Sequence, residues 1–270
     1  MLRDRLVDTD RPRPAVLDEL PRLLAHAFPA ARTGTLQDLE VRARIVPFTR
    51  GQQLSAQDRG GRFLAVLRGA LAIRRLSRNG KQTTIRIARG PCFSGIAVPE
   101  EIGAIATSSG LTEGVAAIWP SATLRWLATA DPGLGVGLLD LNHACIVDLI
   151  TRIDELTFED ARHRLAEVLL EHEDIAFDDT RPGLSRQELA EVVGVSNEMT
   201  GRLLREFEDA GALRRPTHLG LRLMDRSYLE SLAGPSCDSL AARGRITSGD
   251  REPVAVSIVG ASPAVAEARA

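Results

Sequence analysis

The stretch that most constrains this chain runs from Leu184 to Arg215, LSRQELAEVVGVSNEMTGRLLREFEDAGALRR. It predicts two short helices joined by a tight turn. Ser185 can cap the first, and Glu188 three residues later completes an S-x-x-E capping box. Leu189, Ala190 and Val193 recur on one face at helical spacing, so that face is buried. Gly194 follows at once, where a helix end calls for a left-handed residue. Ser196 can cap the second helix. Its apolar stripe is Met199, Leu203, Leu204, Phe207 and Ala210, and Gly211 can end it.

The opposite face of the second helix carries Asn197, Glu198, Arg202 and Arg205. Glu198 and Arg202 are four apart and so share one side. Arginine can bond bidentately to guanine O6 and N7, and glutamate can accept from cytosine N4. The N-terminal residues of such a helix are the ones that enter a major groove. The plainer alternative is an ordinary surface ion pair on a solvated helix.

Beyond spacing, the run resembles the winged helix-turn-helix of the Crp/Fnr family of bacterial transcription regulators. The matching features are the SRQELA opening, the glycine turn at VVGVS, the E-x-x-x-R pair and the LLREFEDAGAL continuation. The resemblance implies that Glu198 and Arg202 read base edges. Asn197 stands beside them where an arginine is frequent in the family, so the preferred half-site can differ. Ser185, Arg186 and Gln187 occupy the helix start that usually touches phosphates, and Ser196 and Arg205 complete the DNA-facing set. Thr217–Leu223, with Gly220, suits the two-stranded wing.

Charge argues the other way. The net charge is −2, and Ser185 to Glu230 holds seven Lys/Arg against eight Asp/Glu, whereas nucleic-acid binders usually show a basic face. The DNA reading therefore requires Glu188, Glu191, Glu206, Glu208 and Asp209 to sit away from the groove.

The 270 residues suffice for two domains. Cys92, Cys145 and Cys237 are far apart, with no C-x-x-C spacing, which argues against a zinc site, a disulfide framework and the cysteine cluster of iron–sulfur relatives. The N-terminus, MLRDRLVDTDRPRP, lacks the apolar core of a signal peptide. No run approaches the roughly 20 apolar residues of a membrane span. A cytoplasmic location without membrane contact is the expectation.

Residues 1–14 are polar and proline-containing and are expected to be loose. Helices are predicted over Val16–Phe28 and Leu36–Arg42. Short strand-like runs follow, with turns at Arg50-Gly51, Gly69 and Asn79-Gly80, which predict a small antiparallel barrel or jelly roll. The V-x-x-G-A-L-x-I pattern at Val66–Ile73 resembles the cyclic-nucleotide-binding domain of the same family. Relatives that bind cyclic AMP carry a G-E-(L/I) start and an R-(S/T)-A finish in their phosphate cassette. Here Gly95 is followed by Ile96 and Ala97, and Gly103-Ala104-Ile105 falls near the place of the arginine motif. A phosphodiester would lack its charge-assisted partner, so the effector is expected not to be cyclic AMP, or to be absent. His26, His143, His163, His172 and His218 all lie outside that stretch, which gives no support to heme. Cys92 reads as a packed small hydrophobe.

Gly133–Leu156 predicts a long helix whose Leu139, Asn142, Ile146, Leu149, Ile153 and Leu156 follow alternating three- and four-residue steps, an a/d seam. The alternative is a helix packed on its own sheet. The family resemblance makes this helix the dimer interface, with Asn142 able to fix register. The pair Leu149-Ile150 stands where cyclic-AMP-binding relatives offer hydroxyl groups. Thr157–Ala176 predicts one further amphipathic helix. The tail after about Gly234 is rich in Ala, Ser, Gly and Pro and reads as disordered.

Glu100-Glu101 and Glu171/Glu173/Asp174 are acid clusters more in keeping with solvated surface than with catalysis. No phosphate-cradling loop, nucleophile elbow or metal-ligand spacing appears, so neither enzyme activity nor a cofactor or metal is expected. The sequence thus divides into a flexible stretch 1–14, a jelly-roll sensor 15–132, a dimerisation helix 133–156, a winged helix-turn-helix 157–233 and a tail 234–270. The expected fold class is α+β. The expected function is a homodimeric regulator that binds a two-fold symmetric double-stranded DNA site and contacts RNA polymerase. The alternative is a dimeric signalling scaffold of the same fold that binds a protein.

Overall fold

The computed structural model describes residues 18–55, 61–94, 106–177, 183–215 and 220–233. The stretch 1–14, the cassette residues Gly95–Ile105 and the tail beyond Gly234 lie outside the described residues. Two helices, α1 (Glu19–Ala27) and α2 (Thr33–Arg42), precede eight strands: β1 (Arg44–Phe48), β2 (Gln53–Ser55), β3 (Arg62–Arg68), β4 (Ala70–Leu76), β5 (Gln82–Arg89), β6 (Cys92–Ser94), β7 (Thr107–Gly110) and β8 (Gly114–Pro120). They form two antiparallel four-stranded sheets, β1-β8-β3-β6 and β2-β7-β4-β5.

Alternation along the strands explains the layering. In β3, Leu64 and Val66 point between the sheets onto Phe48, Leu71, Ala88, Cys92 and Ile118. Phe63, Ala65 and Leu67 point the other way, onto Leu20, Leu23, Leu24 and Phe28 of the N-terminal helices. A two-residue period thus fills two cores from one strand. Gly69 makes the β3–β4 corner at φ +82°, and an added Cβ there would stand 2.4 Å from the Glu113 carbonyl oxygen. The Asn79-Gly80 turn joins β4 to β5, with Gly80 at φ +80°.

After the roll come α3 (Ser121–Ala130) and the long α4 (Pro132–Phe158). Asp131 caps α4 by accepting from the Gly133 amide at 3.0 Å. Proline at the first helical position suits a residue that lacks an N–H. Contrary to the sequence expectation, α4 is long and apolar enough to cross a membrane by length and composition. The sequence reading sought an unbroken apolar run, whereas α4 reaches its mean hydropathy despite Asp140, Asn142, His143 and Asp148.

The helix expected over Thr157–Ala176 is instead divided. Thr157 and Phe158 end α4, and Asp160 caps a new helix, α5 (Ala161–Glu171), by accepting from Arg162 and His163 amides. A one-turn α6 (Glu173–Ala176) follows, then α7 (Arg186–Val193), α8 (Asn197–Asp209), strands β9 (Leu213–Arg214) and β10 (Arg222–Leu223), and α9 (Arg226–Ala233). The wing's first strand thus precedes Thr217, pairing Leu213 with Leu223 and Arg214 with Arg222. The core of this unit (Leu165, Leu169, Leu189, Val193, Leu204, Phe207 and Leu229) is continuous with Ala70, Ala72, Ile87 and Leu111 of the roll.

Candidate nucleic-acid interface

The local chemistry of the helix-turn-helix follows from its caps. Ser185 Oγ accepts from the Glu188 amide at 3.2 Å while a Glu188 carboxylate oxygen accepts from the Ser185 amide at 2.8 Å, so the capping box is complete. Gly194 ends α7 at φ +79°. Ser196 caps α8 by accepting from the Met199 amide at 3.1 Å. Leu203, Leu204 and Phe207 are buried, and Gly211 follows the helix at φ +77°.

Most of the acids that weigh against the DNA reading are paired with arginines. Arg50 donates to Glu188, to the Leu111 carbonyl at 2.6 Å and to the Gly183 carbonyl at 3.1 Å. Arg74 Nε stands 3.0 Å from Glu191, with the two side chains only 12% and 9% exposed, and its Nη2 lies 3.8 Å from Glu188. Glu206 pairs with Arg162 at 2.7 Å and Glu208 with Arg215 at 2.9 Å. Four of the five named carboxylates are thereby neutralised by arginines that lie outside α8. The carbonyls at the end of α7 are also covered: Val192 accepts from Arg152, and Val193 accepts from Arg164 Nε at 3.0 Å.

What remains open is the face carrying the sequence candidates. Ser185, Arg186, Gln187, Ser196, Glu198, Arg202 and Arg205 are exposed, and Asn197 is half-buried. Arg186 Nε donates to Asn197 Oδ1 at 2.8 Å, tying the starts of the two helices together. Arg186 also lies over Gly201, where a Cβ would come within 3.2 Å of its Nη1. Gln187 donates to Glu191 at 3.1 Å. Arg205 Nε donates to the Gly201 carbonyl at 3.1 Å, and the Arg202 guanidinium reaches Met199 Sδ at 3.4 Å.

Among the described residues no ion pair joins Glu198 to Arg202, so the plain surface-pair alternative is not what the side chains adopt. The Glu198 carboxyl is held below its ordinary range, first by its own backbone amide and the Ser196 hydroxyl, then by the Arg186 and Arg202 charges. It therefore stays an ionised acceptor, the form that can accept a hydrogen bond from a base amino group.

The seam candidates all lie on α4. Leu139 (68% exposed), Ile146 and Ile153 (61% exposed) share one solvent-facing line with Val136 and Ile150, which the seam assignment had omitted. At roughly 100° per residue, His143 and Thr157 continue that line, and both are exposed. Asn142 is half-buried, and Leu149 and Leu156 lie at the border of the stripe. Leu156 stands next to Gly194, where an added Cβ would meet Leu156 Cδ2 at 2.7 Å. The opposite face of α4 buries Leu134, Gly137 and Leu138.

Sequence reasoning missed Arg50, Arg74, Arg152 and Arg164. Each contacts a residue far away in the chain, and no local pattern signals such a partner. Cys92 is buried as expected, and burial pushes its thiol up. No group of three His, Cys, Asp or Glu side chains that could hold a metal occurs among the described residues.

The described residues thus combine a roll of two antiparallel sheets, a long helix and a winged helix-turn-helix. Comparisons with known proteins agree. Residues 163–232 match the Crp-like helix-turn-helix domain. Solved structures share the fold at low identity. A Crp/Fnr-family transcriptional regulator from Eubacterium rectale is 17% identical, with a TM-score of 0.66 over 77% of this chain and 99% of that one. FixK2 from Bradyrhizobium japonicum is 16% identical, with a TM-score of 0.60 over 72% and 98%. The c-di-GMP-responsive global regulator CLP from Xanthomonas campestris is 19% identical, with a TM-score of 0.58 over 72% and 100%. No curated protein sequence matches the chain. The chain thus has the Crp/Fnr regulator fold and carries a Crp-like helix-turn-helix DNA-binding domain.

Proposed function

We propose that the chain is a sequence-specific transcription regulator that works as a homodimer, with α8 in the major groove. The observation that carries this reading is the division of charge on the helix-turn-helix. Glu188, Glu191, Glu206 and Glu208 are paired off, while Arg186, Arg202 and Arg205 stay exposed beside Glu198. Arg202 and Glu198 read base edges, and Ser185, Arg186 and Gln187 hold phosphates, with Ser196, Asn197 and Arg205 alongside. A net acidic domain can thus keep a basic reading edge, and a few phosphate contacts suffice for binding of moderate salt dependence.

The second half of the reading rests on α4. Its exposed stripe Val136, Leu139, Ile146, Ile150 and Ile153 follows three- and four-residue steps once the exposed His143 is counted between Leu139 and Ile146, the spacing that lets a helix pack against a copy of itself. A membrane accounts for it less well, because the opposite face of the same helix is packed on the roll and carries the Arg86–Asp148 pair at 3.3 Å. Two copies would present two reading helices to half-sites one helical turn apart. The protein would act in the cytoplasm, without catalytic activity or cofactor, recruiting RNA polymerase or blocking its access. Its effector is not cyclic AMP or is absent.

Selection from random double-stranded DNA without ligand tests the proposal. Enrichment of a two-fold symmetric motif supports both dimer and reading helix. Enrichment only with an added ligand pool identifies a live sensor. No enrichment under either condition points to a protein-binding scaffold.

A further inference from the structure

The apolar stripe of α4 is interrupted once. Between Leu139 and Ile146 stands His143, exposed and on the same line. With Val136, Leu139, Ile146, Ile150, Ile153 and Thr157 it completes an unbroken series of three- and four-residue steps, in which His143 occupies an a position. In a parallel, in-register pair each a residue meets its own copy across the axis. The homodimer proposed above therefore brings two imidazoles face to face within a seam that is otherwise aliphatic from Val136 to Ile153.

A second side chain points to what that layer holds. Asp140 lies three residues before His143, so the two share one side of the helix within about 6 Å. Asp140 is exposed, and neither group has a hydrogen-bond or ion-pair partner among the described residues. From Pro132 to Thr151 the helix contains no Lys or Arg, so no cation on this helix competes for the carboxylate. Asp140 and His143 have the acid-x-x-His spacing that supplies part of the ligand set of carboxylate metal sites in helical bundles, where further helices add a glutamate each.

We propose that the dimer carries a divalent transition-metal site on its two-fold axis, formed by His143 and Asp140 of both protomers. Two imidazoles and two carboxylates make the four-ligand, mixed nitrogen–oxygen set that suits tetrahedral zinc, with bonds of about 2.0 Å. One chain supplies only half of this set, so neither a single-sequence reading nor one protomer displays it. Metal binding converts the weakest layer of the seam, two polar rings in place of two aliphatic side chains, into its strongest. It also requires neutral imidazoles, so acid conditions abolish the site and set like charges against one another at the axis.

The test is the dimer dissociation constant of the untagged full-length chain, measured by sedimentation at about pH 7.5 with chelator or with zinc chloride. Zinc should tighten the dimer at least about tenfold and bind at one ion per dimer. Cobalt(II) should give the visible absorption of a tetrahedral site. His143→Ala should dimerise without responding to zinc. His143→Ile, which fills the layer with hydrocarbon, should dimerise more tightly and also ignore zinc, and Asp140→Asn should weaken the zinc response. Equal tightening of wild type and His143→Ala, or a wild-type dimer indifferent to zinc and cobalt, overturns the metal site. A chain that stays monomeric at every concentration, with or without metal, overturns the dimer on which the inference rests, a distinguishable failure.

Discussion

Two helices of this molecule turn an unpartnered face to solvent, and the faces are opposites. On α8 the exposed side is short and polar, and Glu198 and Arg202 stand on it without a mutual ion pair. On α4 it is long and aliphatic, running from Val136 to Ile153. The difference lies in what each face can gain. Exposed guanidinium and carboxylate groups gain from directional partners such as base edges and phosphates. Aliphatic side chains gain only from leaving water, at about 25 cal/mol per Å² of apolar surface. On the proposed function one face discriminates and the other associates, and a dimeric DNA reader needs both.

The comparison breaks most easily at the aliphatic face. Burying an isoleucine contributes roughly 1.5–3 kcal/mol, and Ile146 and Ile150 occur in both halves of a symmetric seam. Ile146→Asp combined with Ile150→Asp should raise the dimer dissociation constant more than about 100-fold and lower Tm only by the stability that dimerisation itself lends at the working concentration, because both residues are exposed in the protomer. Sedimentation equilibrium reads the first effect and calorimetry the second. A double variant that remains dimeric removes α4 as the interface. A double variant that unfolds would show that the stripe packs within its own chain.

At the polar face the expected effects are smaller and differ in kind. Arg202→Ala should cost about 1–3 kcal/mol on the cognate site with little change on random DNA, whereas Glu198→Ala should relax preference at one base pair of each half-site. Quantitative binding to a panel of half-site variants separates the two. A uniform loss for Glu198→Ala across the panel would make that residue an indirect support. An equal loss on random DNA would make Arg202 a phosphate contact.

The helix-turn-helix was legible in the sequence because its signals are local: a capping box at Ser185–Glu188, a left-handed Gly194 and a cap at Ser196 each depend on residues within four positions. The roll's turns at Gly51, Gly69 and Gly80 were legible for the same reason. The division of the predicted helix 157–176 was harder to see. Its break rests on Asp160 acting as a cap inside a run of helix-compatible residues. The wing's first strand, Leu213–Arg214, is only two residues long and offers almost no alternation to read. Least visible was the neutralisation of the acids, since Arg74 meets Glu191 across 117 positions. Charge counting within Ser185–Glu230 could not anticipate a partner outside that interval. On α4 the heptad spacing was legible, but the true line of the stripe depends on which side the roll occupies.

The smallest effect concerns the junction between these faces, where α4 and α5 meet the roll. Glu167 lies on α5 and lines a cavity of about 190 Å³ together with Arg86, Asp148, Glu155 and Glu171. Desolvation raises its carboxyl above the ordinary range. Glu155, Glu171 and Glu159 raise it further, against the opposing pull of His163. A carboxyl that holds its proton more tightly in the folded chain than in the unfolded one opposes folding once ionised. That penalty is absent below the unfolded value, near pH 4, and grows as pH rises through the raised folded value. Glu167→Gln keeps the shape and removes the charge, so it should raise Tm slightly at pH 7.5 and leave it unchanged near pH 4. The partial exposure of Glu167 keeps the gain small. A Tm gain of equal size at both pH values would locate the effect in packing. A loss at pH 7.5 would mean that favourable partners such as His163, rather than desolvation, dominate the ionised carboxylate.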